Sequence, residues 1–426
     1  MLADHSLVYT LKHLKGNARG CVITEPLWGI PFNLYSPFVS VYMLALGLND
    51  ASIGLLVSIG TAFQVFWTLL GGALTDKLGR KRTTFIFDIV AWSIPTLIWA
   101  VAQNFTYFLV AAIINAVWRV TQNSWNCLLV EDTDPDELVN IYSWIYIAGL
   151  VAAFVSPLTS PLISKFGLVP TMRGLYVMAF VMMTVKFVWM NMIVTETKQG
   201  TLRMAETAHQ GLFDVVRELP AVFRQILRSP ATLYTGALML IINVCFIIRG
   251  TFWSVLVSEE LRIPAEHMAL YPFARSITML LFFFLGMPWL QRQAQLSRMG
   301  ERLLMVMGFI TFVVSQVILL AVPVGNYWVL LLATILEGVG IPLTSTILDK
   351  LIVVTVDPQE RARITAWLNV VMLLVATPFG WLAGLLSGVE RRLPFVLVVG
   401  LFVIGGVVTL MASRQAEREQ ANAAAA

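Results

Sequence analysis

Charged residues are scarce in this chain. Only 13% of its 426 residues are Asp, Glu, Lys or Arg, whereas 58% are hydrophobic and the mean hydropathy is +0.77. Soluble domains carry about 25% charged residues, so this composition argues against a water-soluble fold. The length allows about twelve helices of about 20 apolar residues, each able to cross a hydrocarbon layer about 30 Å thick. The sequence therefore predicts an all-α integral membrane protein with twelve transmembrane helices.

Cysteine and histidine are also rare. The three cysteines lie inside apolar segments, and the four histidines lie outside them. An odd number of buried thiols provides no disulfide framework or metal-binding pair, and histidines outside the spans provide no proton relay. The sequence has no phosphate-binding loop and no nucleophile beside a base. We therefore predict no cofactor, no metal site and no enzymatic activity.

Twelve apolar stretches alternate with polar loops. They cover residues 21–46, 51–75, 83–103, 106–129, 138–163, 168–194, 230–256, 268–290, 303–323, 327–349, 361–387 and 394–413. The long polar segment 195–229 separates the first six from the last six, and its apolar residues recur at helical spacing. We expect an N-terminal six-helix bundle at 1–194, a C-terminal six-helix bundle at 230–426, and between them a cytoplasmic linker with an amphipathic helix.

Positive charge marks one side of the membrane. When loops are assigned to alternating sides, most of the 29 Lys and Arg residues fall on the side that holds both termini. Cytoplasmic loops carry such an excess, so we expect a multi-pass protein of the inner or plasma membrane with both termini in the cytoplasm. Lys12, Lys15 and Arg19 precede the first apolar stretch without a small-residue cleavage site, so no cleaved signal peptide is predicted. This placement of charge argues against nucleic-acid binding and makes membrane lipid the expected partner.

The two halves of the sequence repeat one another. Three features recur in the same order and at a nearly constant offset: Lys77–Lys81 with Arg298–Arg302, Asp134–Glu137 with Asp357–Glu360, and Pro157 with Pro378. Parallel repeats of this kind are typical of transporters whose solute site lies at the interface of the repeats.

Three motifs connect the chain to a known family. After the second stretch the sequence reads Gly72-Ala73-Leu74-Thr75-Asp76-Lys77-Leu78-Gly79-Arg80-Lys81-Arg82. This segment resembles the major facilitator superfamily motif G-x-x-x-D-[RK]-x-G-[RK]-[RK]. Arg119–Gln122 in the fourth stretch is similar to the R-x-x-Q of that family, although Asn123 replaces the expected glycine. The antiporter pattern of the fifth helix survives only as small residues around Pro157.

The resemblance implies a secondary transporter that rocks two six-helix bundles about a midplane site. It also implies that Asp76 sits against the N-terminus of the eleventh helix and that Arg80 reaches acidic residues such as Glu131 or Asp132, which would latch the cytoplasmic side. Gly72 would let helices approach, and Gly79 would permit a tight reversal. The alternative is a basic turn that only fixes topology.

Charged residues inside the helices include Glu25, Arg119, Arg249 and Glu337, in spans 1, 4, 7 and 10. Each costs several kcal/mol in lipid unless it faces a cavity or a partner. The resemblance implies that these four helices line the central cavity. Polar and aromatic residues share helical faces with the charges: Trp28, Phe32, Asn115, Gln122, Asn123, Asn126 and Trp253. Aromatic rings beside buried charges suit a flat or cationic organic solute.

Three further charges have less clear roles. Asp88 in span 3 and Lys186 in span 6 lie toward the cytoplasmic end of helices that are peripheral in the family, so we interpret them as a structural pair or as a snorkelling lysine. Arg275 in span 8 could join the cavity or rest on a lipid headgroup. Glu25 with Arg119, and Arg249 with Glu337, could equally be static pairs that hold the bundles together.

The leading functional hypothesis is proton-coupled export of a small organic solute by alternating access. In this antiporter, Glu25 would take up the proton and Arg119 would be its coupled partner. One alternative is an organic-anion uptake or exchange carrier in which Arg119, Arg249 and Arg275 supply the counter-charges. An alternative of another class is a non-transporting membrane receptor. In all three, the partners are a small-molecule solute and lipid, with protons in the first.

Overall fold

A computed structural model describes residues 14–134, 137–209, 211–212, 230–287, 289–290, 292, 300–355 and 361–425. All regular elements in these residues are helices, and ten of them are long and apolar enough to cross a membrane. The first and fourth spans are not among those ten, and each is divided into shorter helices. The predicted all-α membrane fold is confirmed, and the twelve predicted spans each correspond to described helical segments.

Tertiary contacts divide the chain into two compact units. The described residues of the first unit fall within Met1–Leu48 and Leu56–Glu218, and those of the second fall within Asn49–Leu55 and Leu219–Ala426. The domain boundaries at residues 194 and 230 stay a prediction.

Twelve α-helices form the six spans and the first linker helix. They are α1 (Gly16–Thr24), α2 (Pro26–Tyr35), α3 (Val39–Ala45), α4 (Asp50–Leu78), α5 (Arg80–Asp88), α6 (Ile94–Ala100), α7 (Phe105–Asn115), α8 (Trp118–Val130), α9 (Leu138–Ala153), α10 (Thr159–Phe166), α11 (Leu168–Ile193) and α12 (Lys198–Thr207). Short 3₁₀ turns at Ser36–Phe38 and Ser156–Leu158 and a π-turn at Ile89–Ser93 connect segments of single spans.

The spans of the second unit are formed by seven α-helices. They are α13 (Pro230–Val255), α14 (Ala265–Met268), α15 (Leu270–Leu281), α16 (Gly300–Leu320), α17 (Tyr327–Thr355), α18 (Arg361–Val389) and α19 (Leu393–Ala425). A π-turn ends the span of α13 at Leu256–Glu260. Phe312 and Phe402 stack in the core of this unit with ring centroids 4.5 Å apart.

Proline explains the break in the first span. Pro26 has no backbone N–H, so the carbonyl of Val22 cannot receive the usual helical bond from it and is instead approached by the N–H of Glu25 at 3.4 Å. The fourth span breaks at Ala116 and Val117. Here backbone hydrogen bonds join residues three apart: the N–H of Val117 donates to the carbonyl of Ile114, and the N–H of Arg119 donates to that of Ala116. Two of the predicted site residues, Glu25 and Arg119, therefore sit at or directly after a helix break.

The part of the linker that the structure describes contains a helix. Helix α12 begins at Lys198, and the Thr197 hydroxyl caps it by accepting the N–H of Gly200 at 2.8 Å. The predicted amphipathic helix lies mostly in residues 213–229, outside the described residues. The repeat features around Arg298 and Asp357–Glu360 also fall largely outside them.

Candidate functional site

Glu25 pairs with a lysine in the structure, and the expected pairing with Arg119 is wrong. The Lys186 ammonium donates to Glu25 Oε2 at 2.8 Å. Lys186 is buried in α11, so it does not snorkel to the membrane surface. The pair forms because the two residues lie at similar depth. Glu25 comes nine residues after the start of α1, and Lys186 comes seven residues before the end of α11.

Asp88 joins this pair as a second carboxylate. It is the last residue of α5, eight residues after Arg80, and is therefore at a similar depth. Asp88 is buried and lines the same cavity as Glu25 and Lys186, but the ammonium forms its ion pair with Glu25. Two carboxylates thus lie in one cavity with one ammonium, and Asp88 has no cation within ion-pair distance among the described residues.

Aromatic rings surround these three charges. A cavity of about 400 Å³ in the first unit is lined by Glu25, Trp28, Phe32, Asp88, Trp92, Trp118, Thr121, Gln122, Trp125, Lys186 and Phe187. Trp28 stacks on Phe32 at 4.7 Å and meets Trp92 edge-on at 5.1 Å. The Lys186 ammonium lies 5.9 Å from the ring centroids of both Trp28 and Trp125. Cations bind over such rings, so the cavity is suited to a positively charged group.

Arg119 lies at the edge of the cavity and is held by neutral groups. Its Nε donates to Gln64 Oε1 and its Nη1 to Gln122 Oε1, both at 3.0 Å. The guanidinium carbon sits 4.1 Å from the ring centroid of Trp118. No carboxylate of the described residues forms an ion pair with it. Gln122 links Arg119 to the cavity because its side chain also lines that space.

Gln122, Asn123 and Asn126 of α8 are exposed, whereas Asn115 precedes the helix break and is partly buried. Asn115 donates to the carbonyl of Ala91 at 2.8 Å, and Asn123 donates to Thr75 Oγ1 at 3.4 Å. Asn126 Oδ1 accepts from the Tyr142 hydroxyl at 2.8 Å. Each residue therefore bonds to a different neighbouring helix. The break at Ala116 and Val117 separates Asn115 from the regular register of α8. Helical spacing counted across the break therefore does not place Asn115 on the same face.

The second unit buries another charge cluster. Glu337 of α17 forms ion pairs with Arg249 of α13 and, at 2.8 Å, with Arg275 of α15. Arg249 and Glu337 are 4% and 3% exposed. Arg249 Nε and Nη1 have no hydrogen-bond partner among the described residues. Arg275 therefore joins the charge cluster. Trp253, another predicted site residue, packs edge-on against Tyr271 with ring centroids 5.8 Å apart.

The motif turn between α4 and α5 is an ordered charge network. Arg80 donates from Nε and Nη2 to Glu131 at 3.0–3.1 Å and from Nη1 to Asp76 at 3.0 Å. Gly79 has a φ of +83°, which favours glycine, and a Cβ there would lie 2.5 Å from Glu196 Oε2. Glu196 accepts the backbone N–H of Arg80 at 2.9 Å, which satisfies the first turn of α5.

Two details of this turn differ from expectation. A Cβ on Gly72 would meet no described atom within 4 Å, whereas one on Gly71 would lie 3.4 Å from Val120 Cα, so Gly71 is the glycine at the close approach. Asp132 accepts the N–H of Lys198, at 3.3 Å, and does not bond to Arg80. The predicted contact between Asp76 and the eleventh helix would join the two units and stays a prediction.

Several site residues were missed or undervalued from sequence. Gln64, Trp92, Trp118, Thr121 and Trp125 carry no intramembrane charge and gave no signal of their own. Asp88 and Lys186 did, but the peripheral position that the resemblance implies for their helices outweighed their charge. Asp88 and Lys186 lie at about the same depth as Glu25 when residues are counted from the cytoplasmic helix ends. This shared depth is the signal that could have identified the cluster.

Comparisons with known proteins identify the family of this chain. The sequence profile of the Major Facilitator Superfamily matches residues 28–293 and 238–426. The quinolone resistance protein NorA of Staphylococcus aureus is 32% identical over 84 residues, which cover 20% of this chain and 21% of that protein. The match therefore spans about a fifth of the relative, and NorA's whole activity is not transferred by it.

Solved structures share the fold. The nucleoside transporter NupG superimposes with a TM-score of 0.66 at 16% identity over 93% of this chain and 99% of its own. A POT family transporter in complex with 5-aminolevulinic acid gives 0.69 at 14% identity over 92% and 94%. The human organic anion transporter MFSD10 gives 0.63 at 15% identity over 92% and 98%. Such identities establish the fold alone, whereas the profile covers nearly the whole sequence. The chain belongs to the Major Facilitator Superfamily.

Proposed function

We propose that this chain exports a small organic solute in exchange for protons, by alternating access. The observation that carries the proposal is the presence of two carboxylates, Glu25 and Asp88, and one ammonium, Lys186, on the lining of one aromatic cavity. This cluster has one uncompensated negative charge. A proton can neutralise it, and so can the positive group of a solute.

Competition between the two cations supplies the coupling. A charge buried at this depth costs several kcal/mol, so a state with one neutralising cation is favoured over a state with none or with two. Proton binding therefore favours solute release, and solute binding favours proton release. An inward proton gradient would then drive the solute outward. The match to a protein named for quinolone resistance supports the outward direction.

Lys186 keeps one of the two carboxylates paired throughout the exchange. Its ammonium already pairs with Glu25 at 2.8 Å and lies against Trp28 and Trp125. When a solute cation enters, Lys186 can stay on one carboxylate while the other accepts the solute. The cavity therefore does not need to bury an unpaired carboxylate at any step.

The test is transport by the purified chain in liposomes, measured with cationic, zwitterionic and anionic radiolabelled aromatic solutes, with and without an imposed pH gradient. Glu25→Gln should lose the response to the gradient and keep solute exchange at equal pH. Glu206→Gln is the matched control, because Glu206 is exposed on α12 and pairs only with Arg203 among the described residues. Gradient-driven transport that is undiminished in Glu25→Gln, or binding without movement of any solute, would contradict the proposal.

A second candidate is an organic-anion uptake or exchange carrier. It is favoured by the two arginines that share Glu337, since that cluster has one uncompensated positive charge. Arg249→Gln distinguishes the candidates in the same liposomes. Anion transport should be abolished by the substitution, whereas a proton-coupled exporter should change only in selectivity.

The orientation is part of the proposal. We place both termini in the cytoplasm because the motif turn, α12 and the other Lys/Arg-rich loops would then share that side. A single cysteine introduced at Lys198, in a background without native cysteines, should be labelled by a membrane-impermeant maleimide only after the inner membrane is opened. Labelling of intact cells would reverse the assigned orientation.

A further inference from the structure

The cavity of the first unit carries two charge imbalances of opposite sign. Glu25 and Asp88 line it with one ammonium, Lys186, which pairs with Glu25, so one negative charge is in excess. Arg119 lies beside the cavity, bonded to the lining residue Gln122, and contributes a positive charge with no described carboxylate as its partner. The excesses cancel in sum but are held on different side chains. A buried charge without a partner is unfavourable, so each excess favours a ligand group of opposite sign.

Arg119 is positioned without being neutralised. Gln64 and Gln122 accept from its Nε and Nη1 at 3.0 Å, and Trp118 stacks against its plane. An arginine has five N–H donors in a fixed fork, and only two of them are used in these bonds. The remaining donors can bind a planar carboxylate in two parallel hydrogen bonds. Amide oxygens thus fix the orientation of the guanidinium and leave its charge for a ligand.

The wall between the two charge excesses is aromatic. Trp118 contacts Arg119 on one side and lines the cavity on the other, and Gln122 does the same through its amide. Trp28 and Trp125 lie near Lys186. A flat ring fits against these indoles, and a cavity of about 400 Å³ is within the ordinary range for small-molecule sites. A solute that extends from Asp88 to Arg119 would therefore place an aromatic body between two charged ends.

We propose that this cavity selects zwitterionic aromatic solutes, with the ammonium on the Glu25 and Asp88 carboxylates and the carboxylate on Arg119. The inference rests on the proposed function in that it takes this cavity as the solute site. A purely cationic solute would leave Arg119 without a partner, and a purely anionic solute would leave the excess carboxylate without one. Only a solute with both charges satisfies both ends at once.

The test is equilibrium binding to the purified full chain in detergent, by calorimetry, with three matched probes. They are 4-(aminomethyl)benzoic acid, its methyl ester, which is only a cation, and its N-acetyl derivative, which is only an anion. The zwitterion should bind at least 10-fold more tightly than either derivative. The proposal is overturned if the ester or the N-acetyl derivative binds as tightly as the zwitterion or more tightly, or if none of the three probes binds.

Two substitutions assign the ends. Arg119→Gln should remove the advantage of the zwitterion over its ester and leave its advantage over the N-acetyl derivative. Asp88→Asn should do the reverse. Arg173→Gln is the matched control, since Arg173 donates to the carbonyl of Ala102 and does not line the cavity. If Arg119→Gln keeps the full preference for the zwitterion over the ester, Arg119 is not the carboxylate site and the proposal fails.

The binding measurement uses no gradient, so it separates this inference from the proposed function. Selective zwitterion binding together with transport that ignores the pH gradient would leave the inferred solute class standing and reject proton coupling. Gradient-driven transport of a cation, with no preference for the zwitterion, would do the opposite.

Discussion

The two units bury charge clusters of similar size and opposite sign. In the first unit two carboxylates line a cavity with one ammonium, and in the second two guanidinium groups share one carboxylate. The sequence repeat relates Glu25 approximately to Arg249 and Arg119 to Glu337, but Arg119 is not part of the first cluster, so the two clusters use different repeat positions. Lys186 is therefore the residue without a substitute in the first unit, and Glu337 is the residue without a substitute in the second.

Burial is similar in the two clusters. Asp88 and Lys186 are 5% and 4% exposed, and Arg249 and Glu337 are 4% and 3% exposed, although Asp88 and Lys186 line a cavity together with Glu25. A buried ion pair contributes little net stability when it forms, but removal of one partner is costly because a charge is left unpaired. We therefore expect the largest losses of stability where the only shared partner is removed, and smaller losses where a second group can replace it.

Removal of Glu337 should have the largest effect. Glu337→Gln leaves the buried Arg249 and the partly exposed Arg275 without a carboxylate, and we expect a loss of about 3–5 kcal/mol in the free energy of unfolding. Glu25→Gln is the comparison, because Asp88 remains to pair with Lys186, and its loss should be smaller by at least half. Thermal unfolding of both variants in detergent checks this order. Equal losses would mean that Asp88 does not replace Glu25 as the partner of Lys186.

Removal of Lys186 should have the next largest effect. Lys186→Met leaves Glu25 and Asp88 without their cation, and we expect a loss of about 3 kcal/mol at neutral pH. The loss should shrink as the pH falls, because protonation of a carboxylate replaces the missing positive charge. Arg249→Met retains Arg275 on Glu337 and should cost less, with a much weaker dependence on pH. Melting temperatures measured between pH 5 and 8 test both statements, and a pH-independent loss in Lys186→Met would contradict the first.

The smallest effect is expected for Arg119. Arg119→Gln removes a charge that has no described counter-charge, so stability should stay within about 0.5 kcal/mol of the parent. Arg275→Gln removes a charge-assisted bond to Glu337 and should cost about 1 kcal/mol, since Arg275 is partly exposed. Chemical denaturation of the two variants side by side measures the difference. A loss for Arg119→Gln above that for Arg275→Gln would indicate a structural partner for Arg119.

Hydropathy and charge bias were sufficient to predict the fold. Each span needs only length and apolar content, and these survive helix breaks and uncertain ends. The site depends on finer detail. The alternative reading of Arg249 and Glu337 as a pair agrees with the structure, because the two lie on long helices of regular register.

The pairing of Glu25 was not predictable from helical spacing within one span. Its partner lies 161 residues away, so the pair depends on how six helices pack. The break at Pro26 also places Glu25 between two helical segments, where face assignments from either side do not apply. Similarly, Asn115 and Asn126 were assigned to one face of a continuous helix that the structure interrupts.

The long sequence separation of Glu25 and Lys186 has a consequence for biosynthesis. Ribosomes add about 5–20 residues per second, so the first span leaves the ribosome on the order of 10–30 s before Lys186 is synthesised. An unpaired charge near the middle of a helix raises its insertion free energy by about 2.5–3.5 kcal/mol. The first span therefore crosses the translocon with its carboxylate uncompensated. This cost is relieved when the sixth span brings Lys186, so the last span of the first unit completes the stabilisation of the first.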